Sequence, residues 1–304
     1  MFKNVSKLIR GEGLSDAQFG VLLVLPALAI LATIILYPLL NSVILGFFDA
    51  SLLTGREGWV GIQQFAELLQ SPRFHETLIN TIIFVGGATL LSFVLGFALA
   101  LVLNQNLRGR GFLRGSFILP WITPGVVASF LWMWIFHQHY GVVNSVLSQL
   151  GIIDGSIAWL SSSGWAMLSV IIAKSWKSFP WFMVLLLAGL QTIPDQEIEA
   201  ARIDGAGKFQ IFRYVIIPHM RFIIFVVTLL GAIWNFQHFQ IIWIMTEGGP
   251  AHTTTTLAIE VYQTAFQAWD LGKAGAIGLI WMVILTIFIL VYLRLSGGVE
   301  DVSA

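Results

Sequence analysis

The sequence predicts an all-α, polytopic membrane protein with six transmembrane helices, and three observations predict it. Of 304 residues, 57% are hydrophobic and only 11% are charged, about half the charge that a soluble surface carries. The charges cluster, leaving long runs without any, and a bilayer core asks for roughly 20 apolar helical residues per crossing. Lysine and arginine are unevenly divided between alternating connections, which sets a direction in the membrane. The same arithmetic excludes other classes. Sixteen Lys and Arg against sixteen Asp and Glu leave no basic excess for nucleic acid. Without cysteine there is no disulfide framework, no thiolate nucleophile and no Cys-based metal site.

Charge-free runs cover residues 17–48, 77–107, 115–153, 222–246 and 274–293, while the stretch 165–191 is interrupted only by Lys174 and Lys177. Helices are therefore expected near 19–42, 79–104, 114–137, 165–190, 222–246 and 274–294. The first is too long for a signal-peptide core and lacks a well-placed Ala-x-Ala site, so it is expected to be retained. Ahead of it, residues 1–18 form a separate segment. There Lys3, Lys7 and Arg10 recur at i, i+4, i+7, with Phe2, Val5 and Leu8 on another face. That segment reads either as an amphipathic helix lying in the interface or as a basic tail. The third run is long for one helix, and Tyr140-Gly141 and Asn144 suggest where it leaves the bilayer.

Orientation follows from the flanks. Eleven Lys and Arg fall on the side of both termini, against three (Arg56, Arg73 and Lys273) on the other. Both termini, including the tail 295–304, are expected in the cytoplasm.

Catalytic signatures are missing. Ser161-Ser162-Ser163-Gly164 lacks the first glycine of an intramembrane serine protease turn, and His75-Glu76 is followed by Ile79 where a zincin has its second histidine. His137-x-His139 is a weak metal pair, read as interfacial or core histidines. Gly207-Lys208 has Arg202 where a phosphate-binding loop has its first glycine, so the chain has no such loop of its own. No catalytic residue and no metal ligand is assigned. Uphill transport would draw its energy from a partner or an ion gradient.

The segment 191–221 between the fourth and fifth spans is the most informative. Pro194 suits a first helical turn, and Asp195, Glu197 and Glu199 complement the N-terminal dipole. Ala200 and Ala201 keep one side slim, Asp204 follows, and Gly205 suits a left-handed C-terminal turn. Lys208 to Ile217 is expected to form a second short helix stopped at Pro218. The product is a helix–turn–helix knob at the membrane surface, or else a solvated helical loop.

Glu199-Ala200-Ala201, three residues, Gly205, nine residues, then Val215-Ile216-Ile217-Pro218 resembles the EAA loop of binding-protein-dependent ABC importer permeases. Leu25-Pro26-Ala27, Tyr37-Pro38-Leu39, Asn80-Thr81, Leu119-Pro120-Trp121, Trp176-Lys177 and Glu247-Gly248-Gly249-Pro250 resemble its sugar-permease branch. The likeness runs from about residue 20 to 294, and is greatest to the first permease of a heterodimeric pair. It implies a permease domain over 19–294 whose knob, through Glu199, Ala200, Ala201, Asp204 and Gly205, couples to a cytoplasmic ATPase. It also implies a second permease, two ATPase subunits that bind ATP and Mg, and a periplasmic or lipid-anchored solute-binding protein. This chain itself would hold no cofactor.

Polar groups inside spans are expensive and tend to face a cavity or a partner helix. Lys174, Lys177 and Ser178 lie at i, i+3, i+4, and Pro180 is expected to disturb their helix. Gly231, Asn235 and His238 lie at i, i+4, i+7, with Gln237 and Gln240 beside the stripe. Either these residues line a path for sugar hydroxyls, with Trp181 or Trp234 stacking on a ring, or they bind helices together. The two lysines either share the path or extend outward. A secondary transporter driven by an ion gradient is the other mechanistic class considered. All 16 acids fall in loops or tails, which leaves it no ion-coupling carboxylate in a span.

Overall fold

The computed structural model describes residues 15–296. In chain order its elements begin with α1 (Ala17–Leu45), the hairpin β1 (Phe48–Ser51) and β2 (Gly55–Trp59), α2 (Gln63–Gln70) and α3 (Pro72–Leu103). There follow α4 (Arg110–Ile122), α5 (Gly125–Ile135), α6 (Val142–Gln149), α7 (Ala166–Leu190) and α8 (Asp195–Ile203). The chain closes with α9 (Lys208–Phe236), α10 (Gln240–Thr246), α11 (Leu257–Tyr262) and α12 (Leu271–Leu295). Five of these are long and apolar enough to span a membrane, and the bent pair α4–α5 makes a sixth where the two are counted as one span. The reading of residues 1–14 as an interfacial helix or basic tail, and that of the tail from 297, lie outside the described residues.

The bundle is organised on α3 and α7, which pack along one another. Phe84, Ala88, Val170 and Ala173 fill one half of their seam, and Phe97, Phe182, Met183 and Leu186 the other. Small residues permit the approach, and Ser175 Oγ donates across it to the Ala88 carbonyl at 3.3 Å. The helix α9 lies against both, and α12 closes over α9 and α11. At the end of α3, Arg114 donates to the Leu103 carbonyl at 3.2 Å, a basic group placed where helix carbonyls lack partners. No residue of the apolar window of α1 is buried, and the helix meets the body through its last turns, which pack on α12.

Four helix expectations need correction. The third span is not one helix over 114–137 but α4 and α5, bent by 95°. Pro124 forces the residue before it out of the helical region, and Thr123 is extended with ψ 128°. The fifth span does not cover 222–246: α9 starts at Lys208 and ends at Phe236, and α10 is separate. Pro218 therefore does not stop a short helix. A wide π turn over Phe212–Ile216 precedes it and makes room for the ring. Pro180, expected to disturb its helix, lies inside an unbroken α7.

The loop after α5 is held by Asn144, which was expected only as an exit marker. Its Oδ1 accepts from Trp159 Nε1 at 2.8 Å, and its Nδ2 donates to the Gln138 and Ile157 carbonyls. The Glu247-Gly248-Gly249-Pro250 segment folds into a threonine-laced turn. Thr254 Oγ1 donates to the Gly249 carbonyl and Thr255 Oγ1 to that of Gly248, at 2.9 and 3.0 Å.

Candidate functional site

A cavity of about 290 Å³ opens between α4, α7 and α9. From α7 it receives Lys174, Lys177, Ser178, Trp181 and Phe182; from α9, Gly231, Trp234 and Asn235. Trp121 of α4 and His238, just beyond α9, complete it. Helical spacing explains α7's share, since positions three and four apart stand on one face. Of the eight residues expected to line a path, the structure gathers seven here. Gln237 is the exception: it caps α9 and is exposed, and Gln240 is exposed too.

His238 arrives by a different route from the one its spacing suggests. The helix ends at Phe236, and a turn, with His238 N–H bonded to the Asn235 carbonyl at 3.1 Å, returns the imidazole to the cavity. The ring stacks on Phe84 with centroids 6.2 Å apart, and Nε2 accepts from the Ile241 amide. That acceptor role places the proton of a neutral ring on Nδ1. Asn235 is buried, and its Nδ2 donates to Thr89 Oγ1 on α3 at 2.9 Å. Its amide oxygen is thus left for the cavity. Trp181 and Trp234 meet at 4.7 Å between centroids and form an aromatic wall.

The two lysines separate in role. Lys177 Nζ donates to the Trp121 carbonyl at 3.3 Å and to that of Thr123, the last acceptors of α4 before its break. It neither extends outward nor stands free. Lys174 is 9% exposed, and no carboxylate or hydrogen-bond acceptor partners its ammonium among the described residues. Gly231 is required by close approach: a Cβ there would strike the Phe182 ring.

The second feature is the knob. The helix α8 starts immediately after Pro194, with Asp195 and Glu197 in its first turn. It ends in a Schellman turn. Gly205 has φ 85°, its N–H bonds to the Arg202 carbonyl at 3.0 Å, and Ala206 N–H bonds to that of Ala201 at 2.9 Å. Glu199, Ala200, Asp204 and Gly205 are exposed and Ala201 is half-buried, so the expected coupling residues form one surface. Sequence reading missed Ile203 and Phe209, which are 87% and 76% exposed beside that surface. Their signal was present, two large apolar residues in a polar segment.

A helical membrane bundle with a polar, aromatic-walled cavity between its spans and an exposed helical knob defines a solute-translocating permease subunit. The chain belongs to the family of binding-protein-dependent transport system inner membrane components, whose profile matches residues 88–300. It is 34% identical to the sulfoquinovosyl glycerol transport system permease protein SmoG of Agrobacterium fabrum, over 96% of this chain and 95% of that protein. The trehalose/maltose transport system permease protein MalF of Thermococcus litoralis is 31% identical, over 94% of this chain and 96% of that protein. Among solved structures, a bacterial ABC transporter that imports the acidic polysaccharide alginate shares the fold, with TM-score 0.79 and 20% identity over 99% of this chain and 100% of that one.

Proposed function

We propose that this permease carries a sugar or sugar derivative through the cavity between α7 and α9. The arrangement that carries the reading is the convergence of Asn235, Ser178 and His238 on a wall made by Trp181 and Trp234. Amide, hydroxyl and imidazole groups match the paired donors and acceptors of sugar hydroxyls, and indole faces match the apolar faces of a pyranose. Relatives named for trehalose/maltose and for sulfoquinovosyl glycerol support it.

Transport would be driven from outside the chain. Of two cytoplasmic ATPase subunits, binding ATP and Mg, one would dock on the knob formed by Glu199, Ala200, Ala201, Asp204 and Gly205, with Ile203 and Phe209 entering the interface. A second permease would face the cavity from the other side, and a periplasmic or lipid-anchored solute-binding protein would deliver the substrate. The excess of Lys and Arg around α8 and the termini supports a cytoplasmic position for both termini in the inner membrane.

The test is reconstitution. The purified chain alone should hydrolyse no ATP, and proteoliposomes holding the whole assembly should accumulate a carbohydrate only when ATP and the binding protein are present. Hydrolysis by the lone, clean subunit, or accumulation driven by an ion gradient, overturns the reading.

A further inference from the structure

We infer that the substrate carries an anionic group, a carboxylate or a sulfonate, and that Lys174 holds it. The inference rests on the cavity being the carbohydrate path, and it adds the charge of what passes.

The lining is unbalanced in two ways. Its charged side chains are Lys174 and Lys177, and no Asp or Glu stands among the lining residues. Among the described residues the ion pairs are Arg73 with Glu260 and His219 with Glu197, all outside the cavity. The lining is also rich in groups that can only donate. The lysine ammoniums and the indole N–H groups of Trp121, Trp181 and Trp234 accept nothing. A neutral sugar's hydroxyls donate as well as accept, whereas a carboxylate or sulfonate group accepts alone and carries the counter-charge that the lining lacks.

The two ammoniums are not equivalent. Lys177 spends two of its three protons on the carbonyls of Trp121 and Thr123. Lys174 has no such engagement and is nine-tenths buried. Its Nζ stays accessible and the residue lines the cavity, so the ammonium keeps water there but has no counter-charge from the chain. The position nonetheless lies between α3 and α9, on the most buried span of the chain. A ligand anion in the cavity supplies the missing partner, through a charge-assisted hydrogen bond of the strong kind. Asn235 on α9 and His238 just beyond it then remain for the hydroxyls, and the Trp181–Trp234 wall for the ring.

Uptake by the complete transporter in proteoliposomes tests this, using matched labelled pairs: glucose with glucuronate, and maltose with maltobionate. Wild type should carry an acidic member about tenfold or more better than its neutral partner, the scale of one hydrogen bond to a charged group. Lys174→Gln should remove that preference, and Lys174→Arg should restore most of it, with assembly checked by size exclusion. Preference for the neutral members, unaltered by Lys174→Gln, overturns the charge assignment and keeps the carbohydrate cavity. Loss of assembly in Lys174→Gln with rescue by Lys174→Arg assigns the counter-charge to the second permease and likewise overturns it. Carriage of no sugar of either kind sinks the carbohydrate reading together with this one.

Discussion

Lys177, on α7, closes the break in the third span by donating to the carbonyl of Thr123. Pro124 makes the bend, and the bend strands the carbonyls at the end of α4 where no amide follows to meet them. A cation at a helix C-terminus also meets the negative end of its dipole. One side chain thus fixes the angle between α4 and α7 and, with it, one wall of the cavity. Replacement of Lys177 by Met should leave the spans inserted, lower the melting temperature of the assembled complex and reduce uptake. The expected loss is about 1.5 kcal/mol, the low end for hydrogen bonds to a charged group, because both carbonyls are partly exposed. A complex of unchanged stability and uptake would show that the break holds without the latch.

Asn235 serves two partners, and variants can part them. Thr89→Val removes the hydroxyl that orients Asn235 and should weaken uptake modestly, whereas Asn235→Leu removes the cavity amide as well. Leu should therefore raise the apparent KM by about tenfold or more, at normal assembly. Equal effects of the two substitutions would reduce Asn235 to a tie between α3 and α9.

Contact between Gly231 and Phe182 gives a prediction by rescue. Gly231→Ala should impair stability and uptake, because the added methyl meets a ring fully packed between α3 and α9. Combined with Phe182→Leu, the same substitution should recover part of both, since residues in contact are not additive. Additive losses in thermal melts of the four complexes would contradict this packing.

Gly205 supplies the sharpest test of the knob. A non-glycine residue in the left-handed region costs roughly 1–2 kcal/mol, and a β-branched one more. Gly205→Val should leave membrane levels near normal and release the ATPase subunits from the membrane, while Gly205→Asn should be milder. Ala201→Trp, which adds bulk beside the same turn, should behave like Val. Fractionation of the assembled complex decides, and retention of the ATPases with full uptake in both Val and Trp variants would remove the knob from coupling.

Span number and the knob were legible because their signals are local. A charge-free run needs no partner to announce a crossing, and a glycine after an alanine-rich helix announces its own turn. The lysine face of α7 was equally legible, since its spacing lies within one unbroken helix. The bend at Thr123-Pro124 was not, because a hydropathy window averages across a proline and registers no angle. His238 reached the cavity although the helix assumed to carry it stops at Phe236, and Gln237 missed it for the same reason. The roles of Lys174 and Lys177 could not be separated in sequence at all. What divides them is a pair of carbonyls about fifty residues earlier in the chain, brought near by the bend.

Helix α1 and helix α7 stand at opposite extremes of burial, and of apolar character in the reverse order. This bears on how the chain enters the bilayer during synthesis. Helix α1 emerges before the other described helices, and its apolar surface lets it partition into lipid alone. The fourth crossing carries two lysines, each costing about 2.5–3.5 kcal/mol at a helix centre, and cannot follow that example. It is sheltered by α3 and the bent pair, which are made before it, and by α9, which follows. Partition is thus independent for α1 and cooperative for the span that carries the cavity, which enters lipid packed along α3.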